Sequence, residues 1–296
     1  MSGRRESALS KKRVAAAARK SQANCDRIRC MNRRLFLGAS AALAAAPSRQ
    51  IGKVETLYKT PGPHPNGLQA TAEGIWIIDQ SNNYVYLVSY ESGKVLRSFL
   101  TEADRASGIT HDGQALWLAS TYNRELIRTD DKTGKALSKH FTPGSGVIYK
   151  MTGDPAARRS PLAPAAAQTP APAKPSTPPA LNTIGTGAHG LEWRNGKLWV
   201  AVPPSRTVYR IDPKTWTVET KFGTTANRPH GVGWEGKYLW VTDTNTNGFY
   251  KHDTETGALI EKIILGDKDP LPHGMTIWNG VLWYCDDVGI MCRFKL

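Results

Sequence analysis

Three histidines stand immediately before glycines that recur at near-equal spacing. His189 precedes Gly190, His230 precedes Gly231 and His273 precedes Gly274, with steps of 41 and 43 residues between the glycines. Gly67 and Gly108, themselves 41 residues apart, follow Asn66 and Ser107 in the same way. An imidazole changes charge close to neutral pH, so His230 and His273 are candidates for general acid or base work. Three neutral imidazoles around an open position also suit a divalent transition ion. His189, His230 and His273 therefore form a candidate metal set, and one divalent ion is the only cofactor expected. Twelve residues beyond the five glycines come Asp79, Ser120, Val202, Asp243 and Asp286. Carboxylates there would serve as acceptors that orient the rings, and Asn66, Ser107, Asp79, Asp243 and Asp286 are candidate ligand-binding residues. A plainer reading stands beside this one: the His-Gly pair is repeat grammar, and each imidazole bonds to a turn. His64, His111, His140 and His252 lie off the motif and are expected at turns or on the surface.

The elements that must position these residues are visible in the repeat. Its five copies are HPNGLQATAEGIWIID (64–79), RASGITHDGQALWLAS (105–120), GAHGLEWRNGKLWVAV (187–202), PHGVGWEGKYLWVTD (229–243) and LPHGMTIWNGVLWYCD (271–286). Each is followed by a polar turn and a short strand such as VYRID or FYKHD. A turn of the D-x-x-T-G or S-G-K kind then leads to a fourth strand. Four short strands per forty-odd residues mark a blade of a β-propeller. Trp76, Trp117, Trp199, Trp240 and Trp283 share one aligned position and are expected to form the core between blades. The last copy stops after its third strand, at MCRFKL, while IGKVETLYKTPG (51–62) resembles a fourth strand. The N-terminal strand is therefore expected to close the last blade.

The fold class is accordingly all-β, a propeller of five four-stranded blades, or six if 145–186 is a degenerate blade. That alternative arises because one interval, Gly108 to Gly190, is 82 residues. It contains the Pro/Ala-rich run 154–181, which cannot supply a strand ladder and reads as an insertion. Tyr122, Tyr149, Lys150, Arg158 and Arg159, in or near it, would meet an anion if they folded over the channel mouth.

Of the net charge of +14, +10 lies in residues 1–50. The basic balance belongs to the leader, which removes the main support for a nucleic-acid partner. MNRRLFLGASAALAAAP (31–47) sets Arg33-Arg34 before a short alanine-rich run and a small-residue cleavage pattern, resembling a twin-arginine export signal. The run is too short for a membrane span. Residues 1–46 are read as an upstream extension plus signal peptide, and 47–296 as a single propeller domain. The expected location is the periplasm, the expected partners are the twin-arginine export machinery and a small-molecule ligand, and the mature chain is expected to be a monomer without stable membrane insertion. Cys285 and Cys292 fall on adjacent strands of one hairpin, so an oxidising compartment makes them a candidate disulfide.

Two family resemblances emerge from the aligned blades. The PHG openings and LWVTD-type strands resemble virginiamycin B lyase and its relatives among the NHL and YVTN propellers. That resemblance implies a metal-assisted elimination carried by His230 and His273. NGL…IWIIDQS…SGKVL…SGIT…LWLAS (66–120) resembles the opening blade of the five-bladed glutaminyl cyclases, which implies five blades and acyl transfer. Ser107 stands where that family has an acidic residue. The function expected is binding of a small polar molecule at the channel mouth, with a metal-assisted lyase or hydrolase as the catalytic form. The alternatives are a non-catalytic binding propeller and a glutaminyl cyclase-like acyltransferase.

Overall fold

The computed structural model describes residues 46–147, 185–225 and 228–296. Residues 31–45 of the export signal, the 154–181 insertion, Tyr149, Lys150, Arg158 and Arg159 lie outside the described residues. Among the described residues the repeat folds into twenty strands: β1 (Glu55–Lys59), β2 (Pro65–Thr71), β3 (Gly74–Asp79), β4 (Tyr84–Val88), β5 (Val95–Leu100), β6 (Ala106–His111), β7 (Leu116–Ser120), β8 (Glu125–Thr129), β9 (Ala136–Phe141), β10 (Gly190–Arg194), β11 (Lys197–Val202), β12 (Thr207–Asp212), β13 (Thr217–Gly223), β14 (Pro229–Glu235), β15 (Tyr238–Asp243), β16 (Gly248–His252), β17 (Leu259–Ile264), β18 (Met275–Trp278), β19 (Val281–Cys285) and β20 (Ile290–Lys295). They form five antiparallel four-stranded sheets. Blades 1 to 4 take four consecutive strands each, from β2 onward, and blade 5 has the order β1-β20-β19-β18.

The inner strands β2, β6, β10, β14 and β18 pack in cyclic order, and β18 returns to β2. Side chains would hold them apart, and the five aligned glycines remove that obstacle. A Cβ on Gly67 would lie 2.5 Å from the Ser107 carbonyl oxygen, one on Gly108 2.8 Å from that of His189, and one on Gly274 2.6 Å from that of Asn66. Gly190 faces the His230 carbonyl and Gly231 the Met275 amide in the same manner. Each motif glycine thus lets its blade's backbone touch the next blade's backbone. The Gly108–His189 contact also decides the blade count: blades 2 and 3 are direct neighbours, which leaves no place in the ring for a sixth blade. The ends of the intervening segment are pinned by paired bonds between Gly146 and Thr186 (3.0 and 2.7 Å).

The apolar strands bury themselves between blades as the alternation requires. The five aligned tryptophans are at most 4% exposed. Cationic side chains lie over four of them: Arg97 on Trp76, Arg210 on Trp199, Arg49 on Trp240 and Arg293 on Trp283. The tight turns rely on aspartate: Asp130, Asp212 and Asp253 each accept backbone N–H bonds from the residues two and three further on. Gly134 and Gly257 then take the left-handed conformation (φ +76° and +74°), but blade 3 places Trp216 there at φ +54°. A bulky side chain pays about 1–2 kcal/mol in that region. The Trp216 ring stacks on His140 at 4.0 Å, and its indole N–H donates to the Phe141 carbonyl at 3.1 Å. Those contacts tie blade 3 to blade 2.

Closure uses more of the N-terminus than the sequence suggests. β1 pairs with β20, setting Glu55 opposite Arg293 and Thr56 opposite Cys292. Upstream, Ser48 makes a parallel bridge to Lys262 at the outer edge of blade 4. The Arg49 guanidinium bonds Glu235 (2.9 Å) and Glu261 (2.6 Å), and Lys251 joins both carboxylates. One short arm therefore holds two blades.

The candidate disulfide between Cys285 and Cys292 is corrected. Both are free and buried. The register pairs Tyr284 with Cys292 and Cys285 with Met291, so the two thiols point to opposite faces of blade 5. Cys285 packs in the cluster with Trp283 and Met291, and Cys292 in that with Tyr284 and Phe294.

Two outcomes follow. Gly190→Ala should lower stability by about 1–3 kcal/mol or more, because backbone opposes the new methyl and cannot yield as a side chain would. Gly52→Ala, with open space at its Cβ, should be neutral to slightly stabilising; chemical denaturation compares the two. Peptide mapping without reductant should recover Cys285 and Cys292 as thiols that alkylate only after unfolding.

Candidate functional site

The residue before each motif glycine sits where its inner strand begins. In blades 1, 2 and 4 the ladder is irregular there, between Pro65 and Gly67, Ala106 and Gly108, and Pro229 and Val232. A bulge at that point re-aims one side chain. Since each glycine touches the next blade's backbone, the preceding side chains of successive blades are brought together as well. The His189 and His230 ring centroids are 4.6 Å apart, edge to face, and those of His230 and His273 are 4.3 Å apart. His230 is the middle ring and has no solvent exposure; its neighbours are each 6% exposed.

The row is poorly satisfied. Both nitrogens of His189, Nε2 of His230 and Nδ1 of His273 are buried without a hydrogen-bond partner. His230 Nδ1 lies 3.1 Å from the Arg228 carbonyl oxygen and 3.5 Å from Thr244 Oγ1. The Thr244 hydroxyl donates to the Pro272 carbonyl at 2.8 Å, so both neighbours of Nδ1 act as acceptors. Nδ1 therefore carries the proton, and Nε2 presents a lone pair. Burial, and then the charge of Arg228, pushes the His189 pKa down to about 3. Burial, the neighbouring rings and Arg228 hold His230 well below the usual range. Burial followed by Arg228 does the same to His273. All three rings are neutral at pH 7.

The aspartates do something other than orient these rings. Asp79 accepts the backbone amides of His64 (2.6 Å), Ser81 and Asn82. Asp243 accepts those of Arg228 (2.5 Å) and Thr246, and Asp286 those of Val288 and Ile290. They fix the turns around the mouth. Ser107 Oγ accepts from Gln80 Nε2 at 2.8 Å, and Asn66 Oδ1 is buried without a partner. Asn66 and Ser107 thus complete the ring of pre-glycine positions in blades 1 and 2, apart from the histidine row.

Three residues that sequence reasoning passed over belong to this region. The His64 ring meets His273 edge-on at 5.8 Å. Arg228 acts on all three rings of the row, and its Nε is buried without a partner. Both stand three residues before the motif glycine and directly before a proline, in HPNG and RPHG. That shared spacing is the signal that could have found them. Glu192 is the third, two residues after Gly190 on β10. It is 5% exposed, and burial drives its pKa up to about 8 although a Gln69 hydrogen bond works the other way. Gln69 in turn accepts from the Thr110 hydroxyl, so three blades share one hydrogen-bonded chain.

Neutral imidazoles are the ligand form for a metal. Among the described residues, however, no three His, Cys, Asp or Glu side chains are grouped so as to hold an ion. The arrangement as it stands therefore does not present a ready-made ion site among the described residues. Among the described residues no helix is long and apolar enough to cross a membrane.

These features define a five-bladed β-propeller with a row of neutral histidines where its inner strands begin. No protein-family model matches the chain, and no curated protein matches it in sequence. Among solved structures, glutaminyl cyclase from Myxococcus xanthus superposes with a TM-score of 0.58 at 10% identity, over 84% of this chain and 97% of that one. A catalytically inactive virginiamycin B lyase from Staphylococcus aureus with quinupristin gives 0.44 at 19% identity, over 78% of this chain and 66% of that one. Hydrazine synthase of Kuenenia stuttgartiensis gives 0.43 at 12%, over 77% and 57%. The first likeness is one of fold and agrees with five blades.

The shifted groups set the pH dependence of stability. His189, His230, His273 and His252, the last lowered to about 4 by burial, are depressed in the folded state. Their contribution is present above the ordinary imidazole range near 6.5 and is lost as pH falls toward their folded values. Glu192 is raised, so its contribution is full only below its ordinary value of 4.5 and is lost as pH rises from there to about 8. Thermal melts should therefore show a steep acid decline beginning below about pH 6.5. Glu192→Gln should remove a decline that spans about pH 4.5 to 8, so the fall above pH 6.5 should vanish and the acid limb should steepen.

Proposed function

We propose that the chain is an exported ligand-binding propeller that holds a small polar molecule at its channel mouth, among His189, His230 and His273. The observation that carries this reading is His230 Nε2. It is a fully buried lone pair on a ring whose tautomer is fixed, and no protein group donates to it. A buried acceptor without a donor costs about 1–3 kcal/mol, and a native fold sustains such a group where a water or ligand satisfies it. The unpaired nitrogens of His189 and His273 lie on either side, so one molecule can meet several of them. The twin-arginine pattern at 31–47 supports export to the periplasm.

The chemistry of the site favours binding over turnover. The aspartates that would stabilise an imidazolium are bonded to turn amides. The nearby charge is the positive one on Arg228, which opposes protonation of the rings.

Imidazole nitrogen NMR with glycolate and glycolamide as probes tests the reading. At least one probe should shift the His230 Nε2 resonance saturably, and His230→Ala should abolish the binding. Binding that survives His230→Ala, or an ordered water at Nε2 with no response to either probe, would remove the site. Elemental analysis of protein prepared without a polyhistidine tag should find well under one transition ion per chain. A stoichiometric ion that disappears in His230→Ala would instead give the row a metal.

A further inference from the structure

Arg228 bears on the charge of a molecule held at the histidine row. The residue lies two positions before His230, and its backbone is fixed at both ends. The amide donates to Asp243 and the carbonyl accepts from His230 Nδ1. Its side chain is partly buried, and Nε is shielded from solvent with no acceptor. A guanidinium N–H left unpaired in a dry site is costly, and carboxylates and other oxyanions are its natural partners. Three carboxylates around the mouth, Asp79, Asp243 and Asp286, accept backbone amides of turns rather than the Arg228 side chain. Glu192, the buried acid of the adjoining strand, is paired with Gln69 and is held in its neutral form by burial. The Arg228 charge acts on each of the three rings. Among the described residues, Arg228 thus sets a positive charge beside uncharged imidazoles.

From this geometry, and resting on the reading that the histidine row holds a ligand, we propose that the ligand is a small carboxylate carrying a hydroxyl or amide N–H on the neighbouring carbon. The carboxylate takes the Arg228 guanidinium, and the hydroxyl or amide donates to His230 Nε2. The two demands are opposite in kind, since Arg228 only donates and His230 Nε2 only accepts. A simple anion satisfies one of them and a simple alcohol the other. A hydroxy-carboxylate satisfies both, and no proton or covalent bond changes hands. Protonated rings are not required, so binding should persist above the imidazole range.

Isothermal titration calorimetry at pH 7.5 with glycolate, acetate and glycolamide tests this on the intact chain. Glycolate should bind, with acetate and glycolamide each weaker by at least about tenfold. Arg228→Gln should weaken glycolate at least about tenfold while leaving glycolamide unchanged, with the melting temperature checking the fold. Arg228→Lys, which keeps the charge and loses the planar fork, should fall between. If Arg228→Gln does not fold, the glycolate-to-glycolamide ratio and the lysine variant decide. Glycolate and glycolamide binding equally well, or glycolate binding untouched in both Arg228 variants, would overturn the anion inference while the histidine site stands. Glycolate and acetate binding equally would overturn the role of His230 Nε2 as acceptor. No heat and no imidazole shift with any probe would overturn the binding site together with the inference.

Discussion

Backbone contact between inner strands governs this molecule. Five glycines, one per blade, let each blade press its main chain against the next, and with a β-carbon at those positions the ring would have to widen. The same contact explains the meeting of the histidines. A residue fixed beside a glycine that touches the neighbouring blade must itself approach its counterpart there. Once three successive blades carry histidine at that position, ring separations of 4.3–4.6 Å are a consequence of packing. Proximity alone is thus not a sign of function. What packing does not supply is partners for four of the six ring nitrogens, although a repeat protein could fill these positions with small residues. Blade 2 does so with Ser107, whose hydroxyl accepts from Gln80.

What the sequence could and could not reveal follows from how each feature is encoded. Blades, aligned tryptophans and closure by the N-terminal strand were legible because period and alternation encode them directly. The blade count was less so, because an interval of 82 residues fits either an insertion or an extra blade; only the contact of Gly108 with the His189 backbone separates the two. The cysteines were misread for a reason of parity. Adjacent strands do not imply a shared face, and the turn between β19 and β20 sets Cys292 opposite Tyr284 rather than Cys285. Arg49 was counted as leader charge, yet its role depends on Glu235 and Glu261, nearly two hundred positions or more away. His64 and Arg228 were hidden because their importance lies in where the bulged strand starts aim them, which no periodicity records.

The electrostatics of the channel are unusual in sparing charge. Burial keeps the three rings neutral and keeps Glu192 protonated. His189 and Glu192 stand three residues apart at the start of β10, one an acid in its uncharged form and the other a base in its uncharged form. Ionising either inside the ring would cost desolvation energy. Hydrogen bonds between inner strands of different blades run from backbone as well as side chains: Gly231 N–H to the His273 carbonyl, Ala70 N–H to Thr276 Oγ1, and the Thr110 hydroxyl to Gln69.

That balance bears on what the row can do with a bound molecule. A histidine acting as a general base becomes an imidazolium, and a carboxylate on its other nitrogen commonly stabilises that cation. Here the other nitrogen of His230 meets a backbone carbonyl and a threonine hydroxyl, and the adjacent charge is positive. The ring is held in one tautomer without help toward protonation. Such a ring is a good acceptor and a poor base. A ligand that brought its own negative charge against Arg228 would reverse part of this, since an anion there would cancel the field that depresses the rings. Proton affinity at His230 would then rise only while the site is filled, so the capacity for base chemistry depends on the charge of the molecule bound.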